Sequence, residues 1–294
     1  MTDTFVAAEL ASQPAVWREV AALAPSFADV LPQKGERVAV VGCGTSWFIA
    51  MSYAVLREQA GLGLTDAFAG SEYPSDREYD RVIAISRSGT TTEIVDLLAV
   101  LKGTQTTVLI TAVADSPATV DADHVIALPF ADEQSVVQTR FATSALTLLR
   151  ADLGHDIEAL AVQCERALEI DIDDLLTADQ VTFIGRGAAI GLTFEAALKT
   201  REAAQFWAES YPAMDYRHGP IAIAQPGRLV WSLGEAPDGL VDDVAATGAT
   251  WVQHDLDPQA GLVVVHRFAV AKALSLGLDP DHPRSLTRSV ILAP

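Results

Sequence analysis

Two loops and one helix face carry the residues of this sequence that are able to do chemistry. Gly42-Cys43-Gly44-Thr45-Ser46 and Ser86-Arg87-Ser88-Gly89-Thr90-Thr91-Thr92 each follow a short apolar run and open a helical pattern. Glycines let the backbone approach a ligand, and N–H groups and hydroxyls at a helix N-terminus suit an anion. The second loop offers five hydroxyls and a guanidinium around one glycine. Helix capping alone would account for one such loop; two at the same sheet edge predict a phosphate site. Neither is a GxxxxGK[ST] loop or a GxGxxG fingerprint, which disfavours nucleotides.

Further on, Glu195, Lys199 and Glu202 stand at i, i+4 and i+7, on one face of a helix. Two carboxylates flanking an ammonium tune one another, which is how a base for carbon acids is made. The plainer alternative is a solvated, ion-paired face. The segment from Tyr211 then presents His218 ahead of Gly219-Pro220, a breaker that takes this histidine out of any mid-helix core. It is a candidate acid or base near neutral pH. The other histidines, at 124, 155, 254, 266 and 282, show no metal-ligand spacing. Neither a catalytic metal nor a cofactor is expected.

The elements that must position these residues read as alternating strands and helices. Arg37–Val41, Arg81–Ile85, Thr106–Thr111 and Val125–Leu128 are apolar strand runs, with helical composition over 47–59, Thr91–Leu101 and Ser135–Leu153. A helical segment from Thr2 to about Leu31 precedes them. Such alternation predicts a parallel sheet covered on both faces. The pattern then restarts: Val181–Gly187 aligns with Val38–Gly44 at an offset of 143, and Ala197 falls opposite Ala54. Arg228–Ser232 and Thr250–His254 take the places of the second and third strands. An internal duplication follows, with the join within Gly154–Thr177 and domains expected at 1–165 and 166–294.

Composition narrows the partners. Twenty basic against 39 acidic residues give a net charge of −19 over 294 residues. Such a chain is a poor non-specific binder of nucleic acid or anionic membrane, so a phosphate must be won by a local cradle of donors. Cys43 and Cys164 are too few for a disulfide framework or a zinc cage. Val38–Leu56 carries no charge over 19 residues, near the length of a membrane span, but its glycines and hydroxyls read as strand, loop and helix. No basic-then-apolar leader pattern occurs in Met1–Leu10, and a cytoplasmic protein is expected.

Taken in order, these motifs resemble the sugar isomerase (SIS) family, in the two-domain arrangement of the isomerase half of glucosamine-6-phosphate synthase. The resemblance runs through Gly42–Ser46, Ser86–Gly89, Glu133–Phe141, Phe194–Glu202, Arg217–Pro220 and the tail Asp281–Val290. It implies an α/β fold of two flavodoxin-like SIS domains, each a parallel sheet sandwiched by helices in three layers, with the tail completing the active site. It further implies that Gly44, Thr45, Ser46, Ser86, Arg87, Ser88 and Thr91 lie where a sugar phosphate is held, and that Glu133 and Gln138 lie in a loop lining the sugar pocket. By the same resemblance Glu202 falls where a carboxylate shuttles the proton between sugar carbons one and two. His218 falls at the ring-opening position, lent across a homodimer interface, and Glu195 and Lys199 support the site. A glutaminase domain is not recognisable, so synthase activity is not expected.

Two departures shape the reading. Arg87 stands where the synthase has glutamine, and the run Ser86-Arg87-Ser88-Gly89 looks more like SIS-type amino-sugar deaminases and isomerases. Arg288 stands where the synthase offers a Schiff-base lysine. A guanidinium stays protonated and is no amine nucleophile, although Arg288 can still pair with a phosphate or a sugar oxygen. The expectation is therefore an enzyme acting on an amino-sugar 6-phosphate by ring opening and proton abstraction, as a deaminase or isomerase. A dehydratase acting on N-acetylglucosamine 6-phosphate and a non-catalytic sugar-phosphate sensor remain the alternatives.

Overall fold

The computed structural model describes residues 4–292. Thr2 and Asp3 of the expected N-terminal segment therefore lie outside the described residues, and its helix is α1, Phe5–Leu23. The chain divides into two compact units that are not contiguous in sequence. One holds Ala15–Gln134, Gln138–Glu158 and the chain from Thr287 on; the other holds the chain up to Pro14, Ser135–Val137 and Ala159–Leu286. The contacts thus draw the units differently from a single cut at 165/166.

The first of these is built on five parallel strands, β1 (Val38–Gly42), β2 (Thr65–Ala69), β3 (Arg81–Ile85), β4 (Thr106–Thr111) and β5 (His124–Ala127), in the order β2-β1-β3-β4-β5. Every residue of β1 and β3 is buried, as a sheet covered on both faces requires. Ala39, Val41, Val82, Ala84 and Leu109 form one face, which packs on Ile94, Leu98 and Leu101 of α3 (Thr92–Leu101). The alternate residues face the opposite layer, where α2 (Thr45–Gln59) packs on β1 and on α4 (Arg140–Asp152). Each buried branched side chain stabilises this core by roughly 1.5–3 kcal/mol.

The second unit repeats the plan after α5 (Ile157–Glu169). Four parallel strands, β6 (Gln180–Gly185), β7 (Ala208–Pro212), β8 (Arg228–Leu233) and β9 (Thr250–Gln253), lie in the order β7-β6-β8-β9. Ile184 and Val230 pack on Leu240 and Val244 of α7 (Leu240–Thr247). α6 (Ala189–Ala204) and α8 (Pro258–Ser275) pack closely together through Ala203, Ala204, Ala269 and Ala273, whose small side chains bring the helices near.

Two differences from the sequence reading have clear causes. β2 and β7 are edge strands with a single neighbour and mostly half-exposed residues, so they lack an apolar run. The helix expected from Ser135 opens at Arg140, because the Glu133 carboxylate takes up the amides of Thr139 and Arg140 and fixes the start there. Among the described residues no helix is long and apolar enough to cross a membrane.

Candidate functional site

Apart from His218, the residues singled out by their chemistry fall into two clusters, one in each unit. In the first sheet the strand order reverses between β1 and β3, where Gly42 pairs with Ile85. Ligands of open α/β sheets bind at such a switch point, outside the carboxyl ends of the strands. The loops 42–46 and 86–92 leave it side by side. Gly44 at φ 54° precedes α2 and Thr91 precedes α3, and neither helix has a side-chain cap. Their amino-terminal N–H groups and dipoles face the same edge. Gly42 is required because a Cβ there would lie 2.5 Å from the carbonyl carbon of Ser46.

Thr45, Ser46, Ser86 and Ser88 are buried in these loops. The Ser86 hydroxyl has no hydrogen-bond partner, whereas Ser88 Oγ accepts from the Thr90 N–H at 3.2 Å and from its hydroxyl at 2.9 Å. Burial pushes the Cys43 thiol up, with the Glu93 charge adding to it and the Gly70 N–H opposing. A protonated thiol is a poor nucleophile, so this loop offers donors rather than covalent chemistry.

Arg87, Glu133 and Arg288 are occupied with one another. Glu133 Oε1 accepts from the Thr139 and Arg140 N–H groups at 2.7 Å each and from the Thr139 hydroxyl at 2.9 Å, closing the start of α4. Arg87 Nη1 lies 3.4 Å from Glu133 Oε2, and its Nη2 donates to the Arg288 carbonyl at 3.1 Å. The Arg288 guanidinium is held by the Asp132 carboxylate and the Glu133 carbonyl. The tail then runs over the second loop, where the Ser289 and Thr90 hydroxyls bond at 2.8 Å and the Val290 carbonyl accepts from the Thr92 N–H at 3.2 Å. Gln138 is half-buried, and its Nε2 has no partner. The strut that carries the tail escaped the sequence reading, which saw these side chains only as ligand contacts.

The second cluster lies on α6. Lys199 Nζ is 2.5 Å from Glu202 Oε2 and 3.5 Å from Glu195 Oε1. Burial is graded along the row: the Glu195 and Lys199 side chains are 0% and 2% exposed, that of Glu202 20%. Glu202 opens onto a cavity of about 570 Å³ lined also by Arg201, Gln205, Phe206, Trp207 and Arg284. Burial lowers the Arg201 pKa against the raising effect of Glu202 and Glu195, yet an arginine remains a cation there. Behind Glu195 stands His266 of α8, Nε2 to Oε1 3.6 Å and fully buried. The sequence analysis weighs His266 only as a metal ligand. Its signal toward Glu195 is an imidazole directly after the apolar run Leu262–Val265.

His218 is not brought to Glu202 within the unit. Glu202 lies near the end of α6 that returns to the amino ends of the strands, whereas His218 is exposed on a turn, Asp215–His218, beyond the carboxyl end of β7. The strand between them puts the two at opposite edges of the sheet, roughly 17 Å apart along β7. Among the described residues no group of three or more His, Cys, Asp or Glu is placed to hold a metal ion.

Comparison with known proteins gives this arrangement a context. Residues 31–151 match the SIS domain family model. Over 339 residues the chain is 29% identical to the glutamine–fructose-6-phosphate aminotransferase (isomerizing) of Methanothermobacter thermautotrophicus, covering 98% of this chain and 57% of the relative. It is 27% identical to that of Sulfolobus acidocaldarius, covering 86% of this chain and 50% of the relative. The chain thus spans about half the length of these curated relatives. Its fold is that of the glucosamine-6-phosphate deaminase of Thermotoga maritima, with a TM-score of 0.82 at 24% identity, covering 98% of this chain and 100% of that one. The Escherichia coli tagatose-6-phosphate ketose/aldose isomerase superposes with a TM-score of 0.79 at 21% identity, covering 100% of this chain and 97% of that one.

Proposed function

From a chain that carries a SIS domain, we propose an enzyme acting on an amino-sugar 6-phosphate, a deaminase or aldose–ketose isomerase that works by ring opening and proton abstraction at carbon two. One observation carries the reading: Glu202 is a partly exposed carboxylate facing a cavity, gripped by a buried ammonium that has a second carboxylate behind it. Glu202 takes the proton from carbon two, and the electron pair enters the bond between carbons one and two while the carbonyl oxygen is protonated. Glu202 then returns the proton to carbon one. When Glu202 turns neutral, Lys199 still has Glu195 as counter-ion, so no buried charge is left unpaired.

With an amine at carbon two, protonation at carbon one leaves an imine, which water converts to a ketone and ammonia. No Schiff base forms at position 288, since Arg288 is a guanidinium held by Asp132. The hydroxyl loops at the β1/β3 switch point are the proposed phosphate site, with the unpartnered Ser86 hydroxyl as a free donor. His218 is the proposed ring-opening group. Its place at the opposite sheet edge from Glu202 supports a homodimer in which one copy lends His218 to the other.

Proton NMR in deuterated water, with glucosamine 6-phosphate and then its N-acetyl form, tests the reading. Exchange at carbon two with release of ammonia and fructose 6-phosphate is the expected result, and Glu202→Gln should slow it by about 10²–10⁴-fold. A new vinylic proton from the N-acetyl sugar alone would assign elimination of the carbon-three hydroxyl instead. Binding of both sugars without exchange would leave a sensor.

A further inference from the structure

We propose that His266 is a positioning residue for the Glu202 base, acting through Glu195 and Lys199; the inference rests on the reading of Glu202 given above. Four side chains from two packed helices form a single row: His266 on α8, then Glu195, Lys199 and Glu202 on α6. Only the last of them reaches the cavity. Both carboxylate oxygens of Glu195 and both ring nitrogens of His266 lack a hydrogen-bond partner, and both side chains are fully buried. An unmade hydrogen bond at a buried carboxylate is costly, and His266 Nε2 is a nitrogen within 3.6 Å of it.

Glu195 Oε1 is also the atom that Lys199 approaches, at 3.5 Å. Ammonium and imidazole therefore converge on one oxygen, each about 0.6 Å beyond hydrogen-bond length. A Glu195 without the imidazole turns to the ammonium, 3.5 Å away, and competes with Glu202 for Lys199. A Glu195 that accepts from His266 Nε2–H is satisfied on its inner side. Lys199 is then left on Glu202, and Glu195 is in line to take over the ammonium when Glu202 becomes neutral. His266 touches no substrate in this scheme. It sets where Lys199, and through it the base, stands.

Replacement separates this role from packing. His266→Leu removes the donor at similar volume and should lower kcat and carbon-two exchange by roughly 10- to 100-fold, with KM within about twofold and the thermal midpoint of a folded protein. His266→Gln keeps an N–H able to reach Glu195 and should recover kcat to within about threefold. Full turnover by His266→Leu, or equal losses in both variants, would overturn the proposal. Should His266→Leu not fold, the tautomer decides on the unmodified protein: ¹⁵N NMR should find the proton on Nε2, and a proton on Nδ1 alone would overturn it. Slow Glu202→Gln beside unaffected His266→Leu would sink only this inference. Full activity in both would sink the reading of Glu202 itself.

Discussion

The two switch points of this molecule share a backbone plan and differ in what hangs from it. β1 and β6 end at Gly42 and Gly185, which pair with Ile85 of β3 and Leu233 of β8. Two residues later Gly44 and Gly187 adopt φ 54° and 55°. Beyond them, however, the first unit continues Thr45-Ser46 and the second Ala188-Ala189. After the neighbouring strands, Ser86–Thr91 corresponds by register to Gly234–Gly239, with α3 and α7 opening at Thr92 and Leu240. That second loop has no hydroxyl and carries Glu235 and Asp238. The glycine skeleton is thus what the strand–turn–helix corner demands, and the hydroxyls are an addition that this corner does not require. Conversely, the carboxylate row of α6 has Ser52, Leu56 and Gln59 at the matching places in α2. The two units thus share a backbone corner and differ in their side chains, hydroxyls in one and a carboxylate–ammonium row in the other.

The strongest way to break this contrast is to write the second loop into the first. Thr45→Ala with Ser46→Ala should weaken phosphate-ester binding about 100-fold, since two hydrogen bonds to a charged group are worth about 3 kcal/mol together. Calorimetric titration with a sugar 6-phosphate measures it, and unchanged affinity would end the assignment of these hydroxyls to a ligand. The reverse graft, Ala188→Thr with Ala189→Ser, should create no phosphate affinity, because Glu235 and Asp238 stay beside it.

A smaller effect is expected at Gly89, which sits at φ 61° with a would-be Cβ only 1.9 Å from Ser116 Oγ. Gly89→Ala must reshape the loop and should lose roughly tenfold in affinity together with about 1–3 kcal/mol of stability. Gly234→Ala, at φ 86° with its nearest atom 3.4 Å away, should cost about 1 kcal/mol and leave ligand affinity alone. Equal affinity losses at both glycines would mean that the first loop is no more specialised than the second.

How much of this was readable in advance depended on range. The central strands announce themselves because both faces are buried and the runs are apolar throughout, as in Val38–Val41. The repeat follows from the same runs. β2 and β7 carry Asp66 and Glu209 on half-exposed edges and gave no such signal. Glu195, Lys199 and Glu202 were legible as a cluster because helical spacing is a local property. His266 was not, since its approach to Glu195 depends on how α8 packs on α6, which no local pattern encodes. For the same reason Arg87, Glu133 and Arg288 looked like separate ligand contacts until the fold joined them. The site was visible in its parts and hidden in its connections.

The amino edges of the two sheets extend the contrast to acid. Arg81 opens β3 and holds Glu36 with Nε at 3.0 Å and Nη2 at 3.1 Å. Arg228 opens β8 but lies 4.7 Å over the Trp207 ring and donates to the Ile223 carbonyl at 2.6 Å. Burial alone would raise the Glu36 pKa, but hydrogen bonds from Arg81 and the Gln33 N–H, with the charges of Arg81 and Arg57, hold it below the ordinary carboxylate value. A carboxylate lowered in the folded state contributes stability that is present above its unfolded pKa and is lost as pH falls through its folded one. The arginine–tryptophan contact contains no group that titrates in that range. Hydrogen-exchange protection at the starts of β1 and β3 should therefore drop between about pH 5 and 3 by less than about 1 kcal/mol, the ion pair being partly exposed. Protection at the starts of β6 and β8 should change less, and Glu36→Gln should flatten the first profile onto the second. Parallel acid profiles at the two edges in the unmodified protein would show that their different chemistry has no energetic consequence.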